Sequence, residues 1–407
     1  MPQATVTSLA AWRAPAHSAM TLPRIQSLVQ RRPVQAMAIV LLVPFLALAP
    51  LHLFKPATAK AHEVVTPVQV GISFNPHRAA NMGLNYRTAF TRLEAMHFRV
   101  IRLSAYWDQI DHEGYEQLDW LMNEAQRAGQ PVILAVGMKA LGWPEFYIPA
   151  SAMPAAGLTQ GQDAASEASL RDATLAFVND TVTRYRDHST LIAWQVENEP
   201  FNRAGPQRLW IDATFLRDEI TTVRALDGHH RPLIVNAFSH FNLLFDQASA
   251  RQGFDLRQWL GFEADSAERD GLSVLNKGDV LGLDVYTAIG YRFLGHDQMS
   301  RADGDWPDRL AKVRDLARRQ GKQAWITEAQ AEPWESGPNS DGDPKSTSPQ
   351  AMRSLFLNLK DAGFSTVLFW GSEYWLWRAE QGDSRWIDTI RAILRAEARA
   401  PAIAVAA

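Results

Sequence analysis

From about residue 66 to residue 400 the chain alternates short apolar runs with stretches of helical periodicity. The runs are VQVGISF (68–74), RVIRLSA (99–105), PVILAVG (131–137) and LIAWQVE (191–197), then PLIVNAF (232–238), VLGLDVY (280–286), QAWITEA (323–329) and STVLFWG (365–371). Most are apolar nearly throughout rather than at every second position. That is the pattern of parallel strands covered on both faces. Between them, LDWLMNEAQRAG places Leu118, Leu121, Met122 and Ala125 on one stripe and stops at Gly129, a residue suited to the left-handed turn beyond a helix end. WPDRLAKVRDLARRQG repeats the device with Leu310, Val313, Leu316 and Ala317 before Gly321. SPQAMRSLFLNLKDAG opens on Ser348 as N-cap with Pro349 behind it and closes at Gly363.

Eight strand–helix alternations predict an α/β fold, a (β/α)8 TIM barrel over residues 66–400 with a short tail at 401–407. An open, doubly wound sheet is the alternative, but no G-x-G-x-x-G follows the first strand. Two polar loops rich in glycine and proline, 151–168 and 335–348, follow strands three and seven, on the side where barrels carry their sites. The Asp-Gly-Asp at 341–343 lacks the alternating ligands of a calcium loop and reads as solvated loop.

The N-terminal part has a different pattern. Residues 1–33 carry Arg13, Arg24, Arg31 and Arg32 without an acid, and residues 34–54 carry no charge. A spanning helix needs roughly 20 apolar residues, so 34–54 is long enough for an anchor. The basic flank predicts that the following chain is exported. Ala57, Ala59 and Ala61, within the 55–65 linker, have the small-residue spacing of a signal-peptide cleavage site. The expectation is therefore a barrel outside the cytoplasm, periplasmic or extracellular, released by cleavage or held by membrane association through residues 34–54.

Composition removes several classes of function. With no cysteine there is no disulfide, thiolate nucleophile or zinc–thiolate site. A net charge of −3 gives no footprint for nucleic acid. No H-E-x-x-H or similar cluster is present, so no metal is expected, and no cofactor is implied.

In a barrel, polar residues at strand exits are the candidates for chemistry. Strand two gives Arg102, with Trp107 just beyond; strand three gives Lys139 and Trp143; strand four gives Asn198 and Glu199. Strand five gives Asn236, strand six Tyr286, strand seven Glu328 with Trp334 beyond, and strand eight Trp370. Glu199 and Glu328 then face each other across one mouth. Two such carboxyls suit glycoside hydrolysis, where one protonates the leaving oxygen and the other attacks or activates water. The acid needs a raised pKa and its partner must stay ionised, for which Arg102 and Tyr286 are candidate donors. Aromatic faces such as Trp107, Trp143, Trp334 and Trp370 suit the C–H faces of sugar rings. Of the spare carboxylates, Glu197 is expected in a salt bridge and Glu332 on a loop within reach of substrate.

Asn-Glu-Pro after strand four and Thr-Glu after strand seven resemble the retaining β-glycoside hydrolases of clan A, the group of cellulases, mannanases and β-galactosidases. The resemblance spans the barrel and implies a two-glutamate double displacement, with Glu199 as acid/base and Glu328 as nucleophile. It implies further that Arg102 matches the strand-two arginine, that Asn198 holds the sugar 2-hydroxyl, that Tyr286 bonds the nucleophile and that Trp370 floors the sugar subsite. Its substrate would be a β-linked oligo- or polysaccharide. Two departures stand out: Asp284 occupies a position where many members have histidine, and the strand-three exit has no histidine, leaving Lys139 as a substitute contact. A transglycosylase with the same residues, or a non-catalytic polysaccharide-binding barrel of an export system, fits the same pattern.

Overall fold

The structure is a computed structural model that describes residues 67–242, 266–293, 296–335 and 344–399. Its strands are β1 (Gln69–Ser73), β2 (Val100–Ser104), β3 (Val132–Val136), β4 (Leu191–Val196), β5 (Leu233–Ser239), β6 (Val280–Val285), β7 (Ala288–Phe293), β8 (His296–Arg301), β9 (Gln323–Gln330) and β10 (Thr366–Trp370). Eight of them close into a barrel in the order β1-β10-β9-β6-β5-β4-β3-β2. Every pairing in it is parallel, including the closing contact of β1 with β10. All eight apolar runs are barrel strands. The expected α/β barrel is therefore the observed one.

β7 and β8 were not expected. They form a separate antiparallel hairpin rising directly from the exit of β6. Its returning strand, HDQMSR, is largely exposed and carries no apolar alternation to announce it.

The helices form where periodicity placed them. Glu116–Ala128 buries Leu118, Leu121, Met122 and Ala125 and is ended by Gly129 at φ 66°. Pro349–Asp361 starts behind Ser348, whose hydroxyl accepts from the Ala351 N–H at 3.1 Å. Nearly all the buried apolar residues lie between the strands and these outer helices. A small second cluster fills the barrel: Val100, Ile133, Ala193, Ile234, Val280 and Leu368. Strand side chains alternate, so the next inward positions on three of those strands are Arg102, Gln195 and Asn236, all fully buried. The barrel interior thus turns from apolar to polar toward the strand exits.

The basic segment 1–33, the apolar stretch 34–54, the 55–65 linker, the tail at 401–407 and the Asp-Gly-Asp at 341–343 lie outside the described residues. Among the described residues no helix is long and apolar enough to cross a membrane.

Candidate active site

Arg102 projects inward from β2 and is fully buried. Its guanidinium donates to Ser73 Oγ at 2.9 Å, to Gln195 Oε1 at 2.9 Å and to Glu328 Oε1 at 2.5 Å. The other Glu328 oxygen accepts the Tyr286 hydroxyl at 2.6 Å. Glu328 therefore has a donor on each oxygen. Burial pushes its carboxyl upward, while Arg102 and Tyr286 pull it back toward the ionised form. The Tyr286 hydroxyl is itself raised well above its ordinary value by burial and by the Glu328 charge, so it remains a donor.

The strand-four exit makes a sharp turn. Glu197 and Glu199 have φ of 60° and 44°, in the left-handed region that side chains rarely adopt. Asn236 Oδ1 accepts the Glu199 N–H at 2.7 Å, and Asn202 Nδ2 donates to Glu199 Oε2 at 3.0 Å. Asn198 Oδ1 accepts from Asn236 Nδ2 at 2.9 Å and Gln195 Nε2 at 3.2 Å, which leaves the Asn198 amide nitrogen to donate elsewhere. Asn236 lies inside this buried network, and its Nδ2 also donates to Asp284 Oδ2 at 2.5 Å. Asp284 completes the chain by accepting the Thr327 hydroxyl at 2.5 Å.

Carboxylate oxygens of Glu199, Asp284 and Glu328 all lie within 4.8 Å of one another. Burial and the neighbouring Glu328 and Glu199 charges hold the Asp284 carboxyl well above its usual range. Protein donors already engage both oxygens of Asp284 and of Glu328 and one of Glu199, so the cluster suits handling a proton better than holding a cation. Glu145, from the strand-three loop, adds a fourth carboxyl within the field of Glu199 and Glu328; burial raises it to about 8.

Three expectations from the sequence need correction. Trp107 does not line the mouth; it begins the helix Trp107–Glu113 and stacks on Phe177 with ring centroids 5.1 Å apart. Its contribution is packing between helices. Lys139 does not present its ammonium to a ligand: it is 1% exposed and donates to the Glu199 and Asn202 carbonyls at 2.7 and 3.2 Å. Among the described residues Glu197 makes no salt bridge. Its carboxylate accepts the backbone N–H groups of Met138 and Lys139 at 2.8 and 2.6 Å and meets the buried carboxyl of Glu219. Gly137 is required beside it, since a Cβ there would stand 2.3 Å from the Glu197 carboxylate.

The remaining tryptophans stay at the exits. Trp143 is 39% exposed. Trp370 donates from Nε1 to Glu332 at 2.8 Å, and its six-membered ring approaches Gly142, the neighbour of Trp143. Glu332 is buried and also paired with Arg78, so it braces Trp370. Trp334 sets its ring edge-on to Tyr286 at 4.4 Å. Ser73, Gln195, Thr327 and Asn202 escaped the sequence reading. For Ser73, Gln195 and Thr327 the signal was a polar side chain at an inward register position, visible only once strand registers are known; Asn202 lies in the turn after β4.

A fold with eight parallel strands, two buried glutamates at the exits of β4 and β9, and an arginine and tyrosine on one of them limits the candidates. The pattern of Cellulase (glycosyl hydrolase family 5) matches residues 65–370. The chain belongs to this family. The family is described as one of glycosyl hydrolases. Comparison with curated proteins found no match. Solved structures share the fold of this family 5 chain at low identity. The β-galactosidase from Rahnella sp. R3 is 14% identical with a TM-score of 0.52, over 83% of this chain and 56% of that one. A catalytic mutant of a GH42 β-galactosidase from G. stearothermophilus is 15% identical with a TM-score of 0.53, over 81% and 56%. GH5_18 from Streptomyces cattleya, in complex with GlcNAc, is 12% identical with a TM-score of 0.51, over 83% and 82%. The chain thus spans little more than half the length of the two β-galactosidases.

The site's burial has a consequence for stability. Glu94, Glu197 and Glu373 are each raised to about 7 by burial, and Glu219 lies well above its usual range for the same reason and because of Glu197. Unfolded glutamates titrate near ~4.3, so the folded chain holds protons that the unfolded chain releases. The stability linked to each such group is complete below its unfolded pKa and is lost as pH rises through the folded one. His77, His188 and His240, lowered by burial, act in the opposite sense but are fewer. The thermal midpoint of the barrel is expected to be higher at pH 5.5 than at pH 8 by calorimetry; a higher midpoint at pH 8 would contradict this assignment of buried protons.

Proposed function

We propose that this family 5 glycoside hydrolase cleaves a β-linked glycan with retention of configuration, using Glu328 as nucleophile and Glu199 as acid/base. The observation that carries the reading is the unequal setting of the two carboxyls. Glu328 is clamped on both oxygens by Arg102 and Tyr286, while among the described residues Glu199 has only the weaker Asn202 amide on one of its oxygens. A group clamped in this way is fixed for in-line attack; a group left looser on the opposite strand exit is able to give and take a proton.

In the first step Glu328 forms a bond to the anomeric carbon as the glycosidic C–O bond breaks, and Glu199 delivers its proton to the departing oxygen. In the second, Glu199 removes a proton from water, whose oxygen attacks the anomeric carbon and frees Glu328. In this reading the Asn198 amide nitrogen donates to the sugar 2-hydroxyl, and Trp370 lies under the ring. One oxygen of each carboxyl lies within 4.8 Å of the other, close enough to suit the short carboxyl–carboxyl spacing of retaining enzymes, roughly 5–5.5 Å. β-Galactosides, from the names of the β-galactosidase neighbours, and β-glucosides, from the cellulase family, are the first substrates to offer. The basic and apolar N-terminal pattern supports a barrel acting outside the cytoplasm.

The stereochemistry is directly measurable. Proton NMR of the first product from an aryl β-glycoside is expected to show the β-anomer before mutarotation. Appearance of the α-anomer first would replace the double displacement by a single inverting step.

A further inference from the structure

We propose that Lys139 is a positioning residue for the acid/base carboxyl: its buried ammonium holds the 199–202 turn in the conformation that aims Glu199 at the scissile oxygen. The inference rests on the reading of Glu199 as acid/base.

Glu199 at φ 44° occupies backbone space that an L side chain enters only when its surroundings compel it. Both of its peptide groups are clasped by buried side chains. Asn236 takes the N–H at 2.7 Å, and Lys139 Nζ donates to the C=O at 2.7 Å. The same ammonium donates to the Asn202 carbonyl at 3.2 Å. Asn202 in turn gives its backbone N–H to the Glu199 carbonyl at 3.0 Å and its side-chain amide to Glu199 Oε2 at 3.0 Å. One cation therefore ties together the start of the turn, its end, and the donor that orients the acid's carboxyl.

Lys139 is held in its own place. Its N–H is bound by the Glu197 carboxylate at 2.6 Å, and its carbonyl accepts the Asn198 N–H at 2.9 Å. An ammonium has three donors. Two go to the carbonyls, and the nearest carboxylate oxygen, on Glu145, stands 3.9 Å away. A lysine present only to balance charge would sit closer to the acid than to neutral carbonyls. The geometry therefore assigns it a structural task with a catalytic consequence: it fixes where a proton is delivered.

The test compares Lys139→Met and Lys139→Arg with the wild type on 2,4-dinitrophenyl and phenyl β-D-glucosides and β-D-galactosides. The dinitrophenolate leaves without a proton, whereas phenolate departure needs the acid. Misplacing a catalytic group by about 1 Å costs about 100-fold. Lys139→Met is thus expected to lose about 100-fold in kcat/KM on the phenyl glycoside but less than about 3-fold on the dinitrophenyl one, with KM little changed. Lys139→Arg should recover part of the loss. Equal losses on both substrates, or none on either, overturn the proposal. Glu199→Gln runs in parallel: if it lacks the leaving-group split, the acid/base reading fails rather than the role of Lys139. A crystal structure of Lys139→Met decides independently of any substrate. Glu199 is expected to leave the left-handed region, and an unmoved turn would overturn the inference.

Discussion

Glu328→Gln is expected to lose at least about 10⁴-fold in kcat on every substrate, activated or not, because no group remains to form the glycosyl ester. That is a barrier increase of about 5 kcal/mol. The substitution preserves shape and leaves the Tyr286 and Arg102 positions occupied. It also removes the negative charge that the buried Arg102 guanidinium faces at 2.5 Å. Loss of one partner of a buried ion pair is strongly destabilising in general. A fall in thermal midpoint is therefore expected alongside the loss of activity, and the two must be separated by measuring turnover well below that midpoint. Rate constants within about 10-fold of wild type would remove Glu328 from the nucleophile's role.

Glu199→Gln is expected to show a conditional loss. Acid catalysis contributes roughly 10²–10⁴-fold, and only where the leaving group needs a proton. Hydrolysis of phenyl or alkyl glycosides should fall by that amount in kcat/KM, while kcat/KM on dinitrophenyl glycosides stays near wild type. If Glu199 also activates water, kcat on dinitrophenyl substrates should fall as the glycosyl enzyme accumulates. Added azide, a nucleophile that needs no base, is expected to restore kcat and yield a β-glycosyl azide. An unaffected phenyl glycosidase activity would assign the proton to another carboxyl. Asp284 and Glu145 are the neighbours whose raised carboxyls would then be examined.

The barrel was legible because parallel strands buried on both faces leave continuous apolar runs, and each of the eight runs became one strand. The hairpin of β7 and β8 was not, since HDQMSR is exposed and its pairing partner follows directly on β6. In the site, Glu199, Glu328, Arg102 and Tyr286 were legible from position alone, because a strand exit fixes where a residue lies along the barrel. What a side chain does there depends on torsions that the strand count does not give. Lys139 follows β3 as a ligand contact would, yet the chain turns it inward beneath the β4 turn. Trp107 follows β2, but starting a helix swings its ring onto Phe177. Glu197 looked like half of an ion pair; its left-handed backbone and the open space at Gly137 instead send it to two peptide N–H groups. Asp284 was visible only as a departure, and its place between Glu199 and Glu328 came from the closure of β6 on β9.

The proposed double displacement requires a covalent bond between a Glu328 oxygen and the anomeric carbon, and that bond can be caught. A 2-fluoro substituent slows both steps, and a dinitrophenolate leaving group speeds the first, so 2,4-dinitrophenyl 2-deoxy-2-fluoro-β-glycosides leave the glycosyl ester in place. Digestion and mass spectrometry of the inactivated protein are expected to find one labelled peptide, with the sugar on Glu328 in the sequence QAWITEAQ. A label on any other carboxyl, or complete turnover without a covalent species, would contradict the mechanism.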